Sequence, residues 1–241
     1  MWLSGRLRVF QAKIEGYNGT MNLEKILFSW SGGKDSIMAL YEIQKTKDYE
    51  IAALLTTVTD GYGRVSMHGV RKELLERQAE SLGLPLHKIV IPQDTSNEVY
   101  ESIMKEVLTP YKDENISSVA FGDVFLEDVR KYREENLAKI GMKGMFPIWK
   151  WNTQELVRTF IDGGFKAIVT CVDSKVLDLS FVGKEINREF IRQLPPHIDP
   201  CGENGELHSF VFGGPNFTRE IIFTIGEIVL RDSFYYCDLI P

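Results

Sequence analysis

The stretch Ile26-Leu27-Phe28-Ser29-Trp30-Ser31-Gly32-Gly33-Lys34-Asp35-Ser36-Ile37 decides how this chain is read. Its first three residues are an apolar run of buried-strand type. From Lys34 to Gln44 the pattern changes to a helical one, with Ile37, Leu40 and Tyr41 on one face. Between them lies Ser31-Gly32-Gly33-Lys34-Asp35-Ser36. Glycines there let the backbone turn tightly and approach a ligand. The free N–H groups at the start of the helix point at an anion, and the helix dipole reinforces them. Ser31 and Ser36 add hydroxyl donors, and Lys34 adds a mobile positive charge. The loop is therefore a candidate phosphate cradle. It is not G-x-x-x-x-G-K-[ST], so it does not imply the γ-phosphoryl chemistry of Walker loops. The plainer alternative, a serine–glycine turn with an exposed lysine, does not account for six such residues between a strand and a helix.

Working outward, short apolar runs alternate with helical patterns, as in a parallel α/β sheet. Ile51 to Val58 is the second strand, followed by a polar loop over 59–69 that carries Gly61, Gly63 and His68. A helix is expected over Arg71 to Leu82 and a strand over Pro85 to Ile91. Further helices are expected over Asn97 to Leu108, Leu126 to Ile140 and Thr153 to Ile161, with strands at Val119-Ala120-Phe121 and Phe165 to Val172. Past about Ser174 the character shifts. Lys184 to Leu194 reads as a helix, Pro195-Pro196-His197-Ile198-Asp199-Pro200 as a rigid connector, and Leu207–Phe212 and Ile221–Tyr236 as antiparallel strands. The expected fold is α/β, a doubly wound, mostly parallel five-stranded sheet with a second, smaller α+β C-terminal domain. The expected divisions are 1–22 as an N-terminal extension, 23–175 as the nucleotide domain and 176–241 as the specificity domain. Residues 1–20 have no clear period and Met21 stands just before the first strand, so a misassigned start is the alternative.

Composition narrows the class. The chain has 241 residues, 44% hydrophobic and 26% charged, with a net charge of -6. No block of Lys and Arg forms a nucleic-acid face, so nucleic acid is not an expected partner. No run of about 18 apolar residues would span a membrane, and no signal-peptide core is present. Cys171, Cys201 and Cys237 are far apart and odd in number, which suits a reducing, cytoplasmic setting better than a disulfide framework.

The run Ser29-Trp30-Ser31-Gly32-Gly33-Lys34-Asp35-Ser36 resembles the PP-loop of N-type ATP pyrophosphatases, a superfamily of HUP-like folds (adenine nucleotide alpha hydrolase-like). Ser66-Met67-His68-Gly69-Val70-Arg71, Phe121-Gly122-Asp123 and Phe146-Pro147-Ile148-Trp149 resemble segments of the diphthine–ammonia ligases. So does Cys201-Gly202-Glu203-Asn204-Gly205-Glu206-Leu207-His208, followed by Gly213-Gly214-Pro215. The resemblance spans residues 23 to about 215. It implies an enzyme that adenylates the carboxylate of diphthine on elongation factor 2. Ammonium then amidates it to diphthamide, and AMP and pyrophosphate are released. ATP as co-substrate and Mg²⁺ are the cofactors so implied. No glutaminase segment is visible, so ammonium is expected from solution or a partner. Self-association into a homo-oligomer is left open.

The expected ATP-binding residues are Ser31, Gly32, Gly33, Lys34, Asp35, Ser36, Thr56, Thr57, His68, Gly122 and Asp123. Thr56 and Thr57 end strand two, where open α/β sheets bind ligands. Asp35 either helps hold Mg²⁺ or satisfies N–H groups in the first helical turn. Asp123 either binds Mg²⁺ or ribose or caps the next segment. Lys34, Asp35, Glu203 and Glu206 are the catalytic candidates. Asp199, Cys201, Glu203, Asn204, Glu206 and His208 are the substrate candidates, an acidic loop suited to a trimethylammonium cation or to ammonium. Cys201 has no second cysteine to relay sulfur, so a structural role is preferred to a nucleophilic one. Two alternatives compete: another PP-loop ligase (tRNA thiolation or small-metabolite amidation), and a non-catalytic ATP-binding module. Pyrophosphate release separates ligase from module.

Overall fold

A computed structural model describes residues 23–61, the backbone of 64 and 65, and 69–241. The extension expected over 1–22 and the candidate ligand His68 lie outside the described residues. Strand β1 (Glu24–Ser29) runs into helix α1 (Lys34–Thr46) through the glycine loop. There follow β2 (Tyr49–Thr59), β3 (Arg64–Val65), α2 (Lys72–Leu82), β4 (Leu86–Ile91), α3 (Asn97–Asp113), β5 (Ser118–Ala120), α4 (Glu127–Lys139) and β6 (Lys143–Met145). Five of these strands pair in parallel in the order β4-β2-β1-β5-β6, as expected. β3 adds an antiparallel pair at Val58 and Thr59 of β2. The buried Ile26, Leu27 and Phe28 have no exposed surface, which is why β1 reads as an unbroken apolar run.

After α5 (Thr153–Asp162) come β7 (Lys166–Asp173), α6 (Arg188–Gln193), β8 (Leu207–Gly213), β9 (Thr224–Arg231) and β10 (Phe234–Ile240). These four strands form a second, antiparallel sheet in the order β8-β7-β10-β9. The change of sheet thus falls between β6 and β7, ahead of residue 175. Sequence gives no sign of this, because a strand buried on both faces looks alike in either sheet.

Three elements differ from expectation for local reasons. The helix expected from Lys184 begins only at Arg188, where the Asn187 side chain accepts from the N–H groups of Glu189 and Phe190. Gly183 turns at φ +75°, and residues 184–186 run beside β7 instead, held by hydrogen bonds between Val169 and Lys184, Gly183 and Val169, and Ile186 and Ala167. The strand expected over 221–236 is a hairpin, folded at Asp232 and Ser233, whose φ values are 49° and 74°. Two left-handed residues in sequence are the primed turn that hairpins favour. Helix α3 continues past Pro110 to Asp113, since a proline in the last turn removes only one internal hydrogen bond.

One hydrophobic cluster joins β1, α1, α2, α5 and the inner face of the second sheet. The two sheets therefore share a core across α1, which packs on both β8 and α5. A second cluster lies on the other face of the first sheet, beneath α3 and α4. No helix among the described residues is long and apolar enough to cross a membrane.

Candidate active site

A cleft of about 1220 Å³ opens at the C-terminal ends of β1, β2 and β5, and the second sheet closes one side of it. Open parallel sheets bind ligands at this edge. Ser31, Gly33, Asp35, Ser36, Thr56, Thr57, Gly122, Asp123, Cys201, Glu203, Asn204 and His208 all line it. The structure thus brings together candidates from both halves of the sequence.

The phosphate loop is closed on itself and held from behind. The Ser31 and Ser36 hydroxyls are 2.8 Å apart, and the Gly33 N–H donates to Ser31 Oγ at 3.2 Å. Gly32 sits at φ +78°, where an added Cβ would lie 2.5 Å from Leu75 Cδ2. Gly122 allows a second close approach: a Cβ there would meet the Asp35 carbonyl carbon and the Ser36 nitrogen at 2.9 Å. That glycine lets the end of β5 lie directly on the first turn of α1.

Lys34 is behind the wall, not on it. Its side chain is fully buried and its ammonium pairs with Asp35. Burial opposes the charged form, yet Asp35, Cys201 and Glu203 around it more than compensate and raise its pKa. Asp35, a quarter exposed, carries that pair to the cleft surface. The N-cap residue Gly33 has no side chain to cap α1, and the Lys34 N–H donates to Ser209 Oγ at 3.2 Å, so the capping role open to Asp35 is not one it takes. Its carboxylate serves Lys34 instead. Thr56 is buried, and its hydroxyl has no hydrogen-bond partner among the described residues, which suits a group awaiting a ligand. Asp123 is held by Arg133, with Nε 2.8 Å from Oδ2 and Nη2 donating to Oδ1 at 3.2 Å. Burial raises its pKa, and Arg133 works in the opposite direction.

The acidic loop divides in two. Glu203 faces the cleft, where Val124 N–H donates to its Oε2 at 3.4 Å. Burial first, and then the Asp35 charge, push its pKa up to about 8, with Lys34 opposing. Glu206 turns inward: it accepts from Asp199 N at 3.2 Å, Asn204 N at 2.9 Å and Asn204 Nδ2 at 2.9 Å. Asp199 likewise accepts from Thr153 Oγ1 at 2.6 Å and Cys201 N at 2.8 Å. Neither Glu206 nor Asp199 lies on the cleft wall. Cys201 reaches the wall, but its thiol donates to the Thr153 carbonyl at 3.3 Å and burial pushes its pKa up to about 12. A thiol so protonated is not a nucleophile. Burial lowers the pKa of His208.

Two anchors escaped the sequence reading. Gln78 of α2 is fully buried: its Oε1 accepts from Trp30 Nε1 at 3.0 Å, and its Nε2 donates to the carbonyls of Gly32 at 3.0 Å and Val211 at 2.5 Å. Val211 N–H also donates to Gly32 O at 2.9 Å, and Lys34 N–H to Ser209 Oγ at 3.2 Å. The outer edge of β8 thereby holds the phosphate loop. A glutamine beside Leu74, Leu75 and Ala79 on the apolar face of α2 was the available signal. Arg133 had none, lying among the many charged residues of α4.

For a metal, Asp35, Asp123 and Glu203 offer hard oxygen donors near one another, each felt electrostatically by a neighbour. No cluster of three His, Cys, Asp or Glu residues that could hold an ion exists among the described residues. Mg²⁺ commonly uses one or two carboxylates and completes its shell with substrate phosphate and water, so the donor set fits Mg²⁺ carried by a nucleotide.

A parallel sheet with a serine–glycine phosphate loop after its first strand, facing a cleft shared with a second sheet, defines a nucleotide-binding α/β protein of PP-loop type. Residues 24–144 match the family model for the diphthamide synthase N-terminal domain, and 152–239 that for the diphthamide synthase C-terminal domain. The chain belongs to the diphthamide synthase family. It is similar to the diphthine–ammonia ligase of Schizosaccharomyces pombe (26% identity over 243 residues, 89% of this chain and 38% of that one). The ligases of Homo sapiens (24% over 228 residues) and Mus musculus (26% over 230) each match 84% of both chains. A solved U34-tRNA thiolase from Methanococcus maripaludis overlays at a TM-score of 0.37 with 15% identity, covering 64% of this chain and 63% of its own.

Proposed function

We propose that this chain is an ATP-dependent carboxylate–ammonia ligase that converts diphthine on elongation factor 2 to diphthamide, releasing AMP and pyrophosphate. One observation carries the reading: the phosphate loop and Glu203 face a single cleft, on a chain whose two segments match the two diphthamide synthase domains. A carboxylate resists ammonia because its leaving group would be oxide. One of its oxygens attacks the α-phosphorus and pyrophosphate departs. Ammonia then attacks the acyl adenylate and AMP departs.

The residues divide this work. Ser31, Gly33 and Ser36 offer hydroxyl and amide donors to the polyphosphate, and the start of α1 adds its dipole. Lys34 supplies fixed positive charge from beneath the loop. Thr56 and Thr57 serve the nucleoside side of the cleft. Asp35 and Asp123 would hold Mg²⁺, which neutralises charge on the leaving group when bound. Glu203, close to the reacting end, accepts a proton from ammonium or faces the substrate's trimethylammonium group. Asp199, Asn204 and Glu206 shape the loop that presents it. The buried, protonated Cys201 argues against sulfur transfer. Three buried free thiols fit a cytoplasmic setting.

The test is pyrophosphate release with diphthine-bearing elongation factor 2, with and without ammonium. Release that depends on the acceptor, with amide formed only when ammonium is present, is expected. ATP binding without pyrophosphate release in the complete mixture would mark a nucleotide-binding module instead.

A further inference from the structure

The two outer edges of the second sheet are used differently. That of β8 is occupied by the phosphate loop, through Val211 and Gly32. That of β9 pairs with no strand among the described residues, because β9 ends the order β8-β7-β10-β9. An open edge displays a row of unpaired N–H and C=O groups and recruits another strand. Around this edge the surface is apolar. Ile222, Ile225, Ile228, Leu230 and Ile240 are between 41% and 74% exposed, and all belong to β9, β10 or the segment just before them. They are half of the large exposed apolar side chains among the described residues, gathered in one place.

Within Thr224–Arg231 there is no proline and no lysine, and the only charges are Glu227 and Arg231. Charges normally blunt an edge, but here their positions fit a copy of the same strand. Lay β9 antiparallel against itself with Val229 on the two-fold axis. Glu227 then opposes Arg231 of the other copy, twice, and Ile228 opposes Leu230, twice. Directly opposed residues share a face of a sheet. The two ion pairs and Val229 therefore fall on one face, and four exposed aliphatic side chains meet on the other. An isologous contact needs such self-complementarity.

We propose that this chain dimerises through β9, joining the two antiparallel sheets into one eight-stranded sheet across a two-fold axis centred on Val229. The proposal does not rest on the ligase reading. The cleft borders β8, three strands away at roughly 4.8 Å per strand, and reaches β10, the neighbour of β9, through Phe234.

The experiment is sedimentation velocity on the full chain across the micromolar range, with Glu227→Arg, Arg231→Glu and their equimolar mixture. The wild type is expected to run at twice 27.6 kDa. Each single variant places two like-charge pairs across the axis and should raise the dimer dissociation constant by about tenfold or more. Mixing them restores both ion pairs, so a mixed dimer of wild-type affinity should re-form, which also shows that each variant is folded. Leu230→Lys should dissociate the dimer through the other face. A wild type that stays monomeric, dimers that ignore both charge changes, or a mixture that fails to re-associate would each overturn the proposal.

Discussion

The phosphate loop and the acidic loop both end at the same cleft, both contain two glycines, and both concentrate polar side chains. They differ in which of them reach the cleft. Ser31–Ser36 is short, is anchored through its backbone, and keeps Ser31, Gly33 and Ser36 on the cleft wall with its two hydroxyls paired to each other. Asp199–His208 spends most of its polar groups on itself: Asp199 and Glu206 accept five hydrogen bonds of 2.6–3.2 Å, all from residues in or beneath the loop. Of its titratable side chains other than the inert Cys201, Glu203 and His208 line the cleft. An acidic cluster in sequence is therefore not a count of ligand-binding charges. A buried carboxylate must first be satisfied, and in a tight turn the nearest donors are the turn's own N–H groups.

The comparison breaks most severely at Gly122, where the phosphate loop depends on a neighbour lacking a Cβ. Gly122→Ala would push backbone against backbone at the first turn of α1. Because a displacement of about 1 Å can cost on the order of 10²-fold in rate, pyrophosphate release should fall by about that much. A melt should show a loss of about 1–3 kcal/mol. Wild-type kinetics in this variant would remove the close approach from the account of the site.

Next is Gln78, which ties the loop to α2 and β8. Gln78→Leu keeps the volume but strands the Trp30 indole N–H and deprives two buried carbonyls of a donor. Stability should fall by about 2–4 kcal/mol. The Michaelis constant for ATP should rise more than the turnover number falls, because the loop is misplaced while the reacting groups remain. Equal loss in both parameters would argue for a merely structural glutamine.

Glu203 sharpens the contrast between the loops, since it is the acid that turns outward. Its folded pKa, about 8, lies above the ordinary 4.5. Between those values the folded protein holds a proton that the unfolded chain has lost, so this group's contribution to stability falls as pH rises from about 4.5 to 8 and is flat above. Glu203→Gln lacks that slope. The ligand-free variant should therefore melt higher than the wild type at pH 8.5, by about 1–3 kcal/mol after solvent screening. The gap should close toward pH 5. Amidation should drop about 10- to 100-fold with ATP binding preserved; intact amidation would take Glu203 out of the chemistry.

What could be read in advance follows the same division. The phosphate loop was legible because its chemistry is local: strand, glycines and helix start are contiguous, and no distant residue is needed to recognise them. The parallel sheet was legible because β1 and β2 are apolar runs bounded by helices. What stayed hidden is contact between distant parts. Residues 166–173 alone do not reveal which sheet they join, and Asp232-Ser233 is not a turn pair that announces two left-handed residues. Nothing in Glu206 marks it as the carboxylate that faces its own backbone while Glu203, three residues earlier, faces the cleft.

The smallest effect separates those two glutamates. Glu206→Gln replaces an acceptor oxygen with a donor NH₂ opposite N–H groups. One amide oxygen can still serve either Asp199 N and Asn204 Nδ2, which share Oε1, or Asn204 N, which uses Oε2, but not both sets. The loop should loosen at a cost of about 1–2 kcal/mol, while turnover falls only a few-fold as Glu203 is presented less firmly. Measured beside Glu203→Gln, the two variants should give opposite profiles at pH 8.5: one more stable and nearly inactive, the other less stable and active. If Glu206→Gln instead lost amidation at unchanged stability, the inward hydrogen bonds would not be its main role, and the division of the acidic loop would have to be redrawn.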